Sequence, residues 1–157
     1  MKKLLALAFV IGFTACKSDN APVAPPVQSD SIVVAFPSGA LTVKIAATAT
    51  ARDNGLMNVT SLGANSGMLF AFSGDILSPP TGFFMMNTPI PLSIAFLDAS
   101  KVVINIDEML AQTTNIHFAS RPFRYAIEAN KGWMTAHGVQ AGTTVSFALP
   151  AGTVVDP

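Results

Sequence analysis

From Ser31 onward the apolar side chains favour a period of two, the spacing that puts alternate residues on one face of an extended strand. Leu41, Val43 and Ile45 alternate with Thr42 and Lys44, which predicts a half-buried strand. Met68 to Phe72 and Ile94 to Leu97 are short continuous apolar runs, the pattern of strands covered on both faces. Val102, Ile104 and Ile106 are expected to share one face, with Asn105 and Asp107 on the other. Tyr125 and Ile127 alternate with Ala126 and Glu128, and Val145 and Phe147 alternate with Ser146.

Helical signals are few. Thr50 to Met57 reads as a short helix ending near Asn54 or Gly55, and Trp133 to His137 as one or two turns closed by Gly138. Turn chemistry is abundant at Pro37-Ser38-Gly39, Ser73-Gly74-Asp75, Pro79-Pro80-Thr81-Gly82 and Asn130-Lys131-Gly132. The expected fold is therefore mainly β: a small β-barrel-like domain of six to eight short strands over residues 31–157, with one or two short helices. Phe83 to Leu97 comes closest to a membrane span, but Asn87, Thr88, Pro89 and Pro91 interrupt it.

The N-terminus reads differently. Lys2 and Lys3 precede ten uncharged residues, Leu4 to Phe13, too few to span a bilayer as an ordinary helix. The run ends in Phe13-Thr14-Ala15-Cys16, which resembles a bacterial lipobox with phenylalanine in place of the usual leucine. Residues 1–15 are thus expected to be a lipoprotein signal peptide, and Cys16 the lipidated first residue of the mature chain. Acyl chains on Cys16 would hold the protein on a lipid bilayer, each buried methylene contributing about 0.8 kcal/mol. Residues 16–30 read as the lipidated cysteine and a tether, rich in proline and polar side chains. The fourteen residues from Lys17 to Asp30, at ~3.1 Å each, reach about 43 Å. No aspartate follows Cys16, so the expected location in a Gram-negative cell is the outer membrane, facing the periplasm.

Composition narrows the function. The 157 residues carry nine basic and nine acidic side chains, which argues against a large basic surface for nucleic acid. The single cysteine leaves neither a disulfide framework nor a cysteine-rich zinc site. His117 and His137 lack metal-type spacing, and Met57, Met68 and Met85 read as core fillers before copper ligands. No metal or other cofactor is expected. A Ser-His-Asp combination can be drawn from either histidine, but no Gly-x-Ser-x-Gly elbow supports it. Asp107 and Glu108 are adjacent, so on a strand they face opposite ways and cannot form one carboxylate pair.

Three ordered blocks resemble a known family: Gly55-Leu56-Met57, Gly67 to Phe72, and Phe83-Phe84-Met85-Met86-Asn87-Thr88-Pro89-Ile90-Pro91-Leu92-Ser93-Ile94-Ala95-Phe96-Leu97-Asp98. Tyr125 to Glu128, Gly132-Trp133, His137-Gly138-Val139 and Gly142 follow in the same order. The family is the widespread prokaryotic group called domain of unknown function 192, and the resemblance covers roughly Leu41 to Phe147. It implies a compact β-barrel-like domain and no established reaction. Phe84, Met86 and Ser93 stand where the family usually has tryptophan, lysine and aspartate, and Val59 stands where it usually has arginine. Asn87, Thr88 and Asp98 remain as the polar residues expected to bind a ligand.

The reading that follows is a cell-envelope lipoprotein presenting a non-enzymatic binding or accessory domain, whose partner is a small polar ligand or an envelope protein. The alternative is a hydrolase acting on an envelope glycan or peptide, with Asp98 and a histidine in its site. Cys16→Ser is expected to abolish acylation and release the protein from the membrane fraction. Metabolic labelling with a fatty-acid analogue checks this, and equal labelling of both chains would contradict it.

Overall fold

The computed structural model describes residues 30–157; Cys16, the expected signal peptide and all of the expected tether but Asp30 lie outside the described residues. Leu92–Leu97 forms the most enclosed strand of the fold, with all six side chains buried, as the apolar run from Ile94 to Leu97 requires. In chain order the elements are β1 (Ser31–Phe36), β2 (Gly39–Ala46), α1 (Ala49–Asn54), β3 (Ser66–Ile76), β4 (Leu92–Leu97), β5 (Val103–Met109), β6 (Phe123–Asn130) and α2 (Trp133–Ala136). The six strands make one mixed sheet in the order β1-β2-β3-β6-β4-β5, in which only β2 and β3 run parallel.

The expected mainly β architecture with two short helices is present, but the sheet does not close into a barrel. Its edge strands, β1 and β5, are clasped by residues 142–146. Ala35 and Ser146 exchange backbone hydrogen bonds of 2.8 and 2.9 Å. Val103 N–H donates to Thr143 at 2.9 Å, and Val145 N–H donates to Lys101 at 3.0 Å. The alternation at Val145 and Phe147 therefore makes isolated bridges and no strand of its own. This clasp satisfies backbone groups that an open edge would leave free for pairing with other chains.

Each face of the sheet carries its own core. On one, Val34, Leu41, Leu69, Leu97, Ile127 and Val145 pack with Trp133 and Met134 of α2. Gly132 opens that helix at φ 83°, a conformation open to glycine at little cost, and Trp133 packs edge-on against Phe36 at 5.0 Å. On the other face, Phe70, Met85, Ile94, Phe96, Phe123 and Ala126 are covered by α1 and by the two long connections, residues 77–91 and 110–122. These connections are tied to each other through backbone bonds between Phe83 and His117, and from Met85 N–H to Thr113.

Ile104 departs from the expected pattern. The pairing of β4 with β5 shifts between Phe96 and Leu97, whose partners are Asn105 and Val103, so Ile104 falls in a bulge. The extra residue turns Ile104 into the phenylalanine core while Ile106 packs on the opposite side, so the two do not share a face. Both helices fall near their expected places. Thr48 caps α1 by accepting from Ala51 N–H at 3.2 Å, and His137 and Gly138 close α2.

Phe96 is fully buried and meets Phe83 and Phe123 edge-to-face, at 5.6 and 5.3 Å between centroids. Truncating it empties the centre of this core. Phe96→Ala is expected to lose about 3–5 kcal/mol of stability, measured by denaturant unfolding.

Candidate functional site

β6 lies between β3 and β4, so its middle residues have a paired strand on either side and cores on both faces. Glu128 sits there. One register row runs Lys44, Met68, Glu128, Ile94, Asp107, which flanks the carboxyl with two apolar side chains. Position 67 in the neighbouring strand is glycine because a β-carbon there would collide with the Glu128 carbonyl. Glu128 is 5% exposed, and among the described residues no side-chain hydrogen bond or ion pair reaches it. Burial alone pushes its pKa from 4.5 to about 8, because the ionised form has lost its water and gained no partner.

The carboxyl lines a cavity of about 290 Å³ beneath α1. Leu56, Met57, Phe70, Phe72, Phe83 and Phe84 supply its apolar wall. Thr88, 4% exposed, adds a hydroxyl, and the exposed carboxylate of Asp53 also borders the space. Arg52 lies along the same wall with both terminal nitrogens engaged. Its Nη1 donates to the carbonyls of Ala47, Ala71 and Asp156 at 2.7, 3.0 and 3.2 Å, and Nη2 to Pro157 O at 2.7 Å. The guanidinium also stacks 4.7 Å from the centre of the Phe72 ring. Arg52 thereby ties α1 to β2, β3 and the C-terminal segment.

A wider groove of about 520 Å³ runs between the end of β2 and residues 150–154, bordered by exposed Asp30 and Lys44. It holds no buried ionisable group, so the smaller cavity carries the chemistry.

The three residues expected to bind a ligand occupy different places. Thr88 lines the cavity. Asn87 is exposed at φ 58° in a turn, and its carbonyl accepts from Asn58 N–H at 2.7 Å. Asp98 organises the β4–β5 turn, accepting from Ser100 N–H, Val102 N–H and Arg121 at 2.9, 3.0 and 2.9 Å. Burial pushes the Asp98 carboxyl up, but these donors outweigh it and hold the pKa below the usual carboxylate value.

The histidines are likewise apart. His117 Nδ1 lies 3.2 Å from Asp107, whereas His137 donates from Nδ1 to the Trp133 carbonyl at 2.8 Å and stacks on the indole at 3.9 Å. Asp107 and Glu108 do face opposite ways: Glu108 accepts from Ser93 Oγ at 2.8 Å and from Gly132 N–H at 3.2 Å. Among the described residues no group of three or more His, Asp or Glu side chains could hold a metal ion. Met85 is buried in the core, Met57 lines the cavity, and Met86 is exposed.

The family model for domain of unknown function 192, described as an uncharacterized ACR, matches residues 33–147. The chain belongs to this family. A solved structure from Novosphingobium aromaticivorans DSM 12444, a protein of unknown function, is 27% identical with a TM-score of 0.67, covering 87% of this chain and 99% of its own. A proposed transcription regulator from Sinorhizobium meliloti 1021 is 25% identical with a TM-score of 0.68, covering 76% of this chain and 94% of its own. No curated protein matches the chain.

Where the family usually carries an aspartate, Ser93 is fully buried, and Glu108 across the strand pair brings a carboxylate to the same spot. Where the family usually carries a lysine, Met86 is exposed. Phe84, in the tryptophan position, lines the cavity, and Val59, in the arginine position, packs beside the phenylalanine core. Glu128 was hidden in the sequence because Ala126 and Glu128 read as the outer face of a half-buried strand.

The folded chain keeps the Glu128 proton at pH values where the unfolded chain has released it. Folded molecules therefore bind more protons between about pH 4.5 and 8, and stability falls as pH rises through that window. Asp98 acts oppositely and in acid, its contribution being lost as pH falls below the ordinary carboxylate range. Thermal unfolding should show a lower Tm at pH 9 than at pH 6, and Glu128→Gln should flatten that slope and raise the Tm at pH 9.

Proposed function

We propose that this chain is a cell-envelope lipoprotein, anchored through Cys16, whose folded domain is a non-enzymatic module that binds a small ligand in the cavity under α1. The observation that carries the binding reading is Glu128: a buried carboxyl without a partner, set in a cavity walled by phenylalanines. Such a group is costly to the fold, and a preformed apolar cavity with few polar groups is the usual form of a small-molecule site. The groups that a hydrolase would need to converge, Asp98 and a histidine, are engaged separately. The description of the Sinorhizobium meliloti neighbour as a transcription regulator is not carried over, because equal numbers of acidic and basic side chains supply no net positive field for DNA.

The anchor reading rests on the lipobox-like Phe13-Thr14-Ala15-Cys16, which precedes a stretch long enough to hold the domain away from a bilayer. Among the described residues no helix is long and apolar enough to cross a membrane.

A fragment screen by protein-observed NMR tests the binding reading. Hits should shift the amides of Met57, Thr88 and Glu128. Met57→Trp, which fills the cavity from its rim, should abolish those shifts while leaving the circular-dichroism spectrum unchanged. A library without one hit at these residues would overturn the proposal.

A further inference from the structure

The charge pattern of the cavity selects among ligand classes. Its two acidic side chains are Glu128, buried and unpaired, and Asp53, exposed. Its one basic side chain, Arg52, already donates to four main-chain oxygens. An anionic ligand would meet two carboxyls and a guanidinium whose Nη1 and Nη2 already donate to main-chain oxygens. A neutral ligand could accept one hydrogen bond from Glu128, a role that an uncharged amide would fill without the burial penalty of a carboxyl. A cationic ligand gains what neither of the others does, an opposite charge in a desolvated setting, with aromatic faces around it.

We propose that the cavity binds a small organic ammonium, a primary or secondary amine whose charged head pairs with Glu128 and whose apolar body lies among Phe70, Phe72, Phe83 and Phe84. This rests on the binding reading above and assigns it a ligand class. The rings already form an edge-to-face set, Phe70 with Phe83 at 5.0 Å and Phe72 with Phe123 at 5.3 Å, so the wall exists before a ligand arrives. A volume of about 290 Å³ admits a single aromatic ring with a two-carbon amine arm.

The reaction is proton exchange coupled to binding. Glu128 releases its proton to solvent, and an ammonium N–H donates to the carboxylate so formed. Other charged groups are placed to modulate this only weakly. Lys44 on β2 and Asp107 on β5 lie in the same register row as Glu128, each two strands away, about 10 Å. Asp107 is held by His117, and Arg124, on Glu128's own strand, is bonded to Asp75.

The probe is 2-phenylethylamine, with 2-phenylethanol and phenylacetate as neutral and anionic counterparts, titrated calorimetrically into the full chain. An aliphatic ammonium stays charged throughout the range tested, its own pKa lying near that of lysine at about 10.4. The amine is expected to bind about tenfold or more tighter than the alcohol at pH 8, with no measurable binding of phenylacetate. Its affinity is expected to rise about tenfold per pH unit between pH 6 and 7.5, as Glu128 gives up its proton. Glu128→Gln should remove both the preference and the pH slope. Equal binding of alcohol and amine, or a pH-independent affinity, would overturn the ammonium assignment while leaving a small-molecule site in place. Failure of the amine to bind, with fragments from the screen still shifting Met57 and Thr88, would also overturn only the assignment. Failure of every compound would remove both readings.

Discussion

A side chain in the middle of β6 has little contact with bulk water. Strands pair with it on both sides, α2 and its core cover one face, and the phenylalanine core with α1 covers the other. Any ionisable group placed there must be paired, neutralised, or reached by a cavity. Glu128 takes the last two courses together: it holds its proton to about pH 8 and borders a cavity. The long connections follow from the same constraint. Residues 77–91 and 110–122 supply the second layer that keeps this face dry, and Phe83, Phe84 and Thr88 of the first connection supply part of the cavity wall.

An open six-stranded sheet with a core on each face has two vulnerable edges, and this chain protects them with one segment. Residues 142–146 reach from β5 to β1 with hydrogen bonds at both ends, and Val145 and Phe147 fill the inner core as they pass. Lys101 secures the same stretch, donating to the Phe147 carbonyl at 2.6 Å with its ammonium 4.6 Å from the ring centre. The result is barrel-like in cross-section without a continuous ladder of strands, which is why the alternation at Val145 and Phe147 makes isolated bridges and not a further strand.

Most of the fold was legible because its signals are local. Alternation at Leu41 and Val43, the unbroken run in β4, and glycine after each short helix all report a nearest-neighbour environment. Ile104 was not legible, since a bulge depends on how two strands align and leaves no mark in the spacing of one. The site was less legible for a related reason. Asn87 and Asp98 attract attention as polar residues beside apolar runs, yet such positions serve turns well, and both residues lie in turns. Thr88, in the same motif, is turned inward. Glu128 looks like the solvent side of an alternating strand until the sheet order places another strand on each side of it.

The exchange at Ser93 shows how the polar interior of this family can be rearranged without being lost. A buried aspartate there could accept from the Gly132 N–H that opens α2; here Ser93 Oγ accepts that N–H at 2.8 Å and donates its own O–H to Glu108 at 2.8 Å. Glu108 is the direct cross-strand partner of Ser93, so the carboxylate here sits on an edge strand where water also reaches it. Burying a charge beside α2 is thereby avoided while its hydrogen-bonding function is kept. Glu128 has no such neighbour. Its cross-strand partners, Met68 and Ile94, offer neither a donor nor a charge. One carboxylate thus lies toward solvent and the other inside the sheet. The first supports a helix, which a serine relay can do equally well. The second has no hydrogen-bond or ionic partner among the described residues, and the proposed ammonium would supply one.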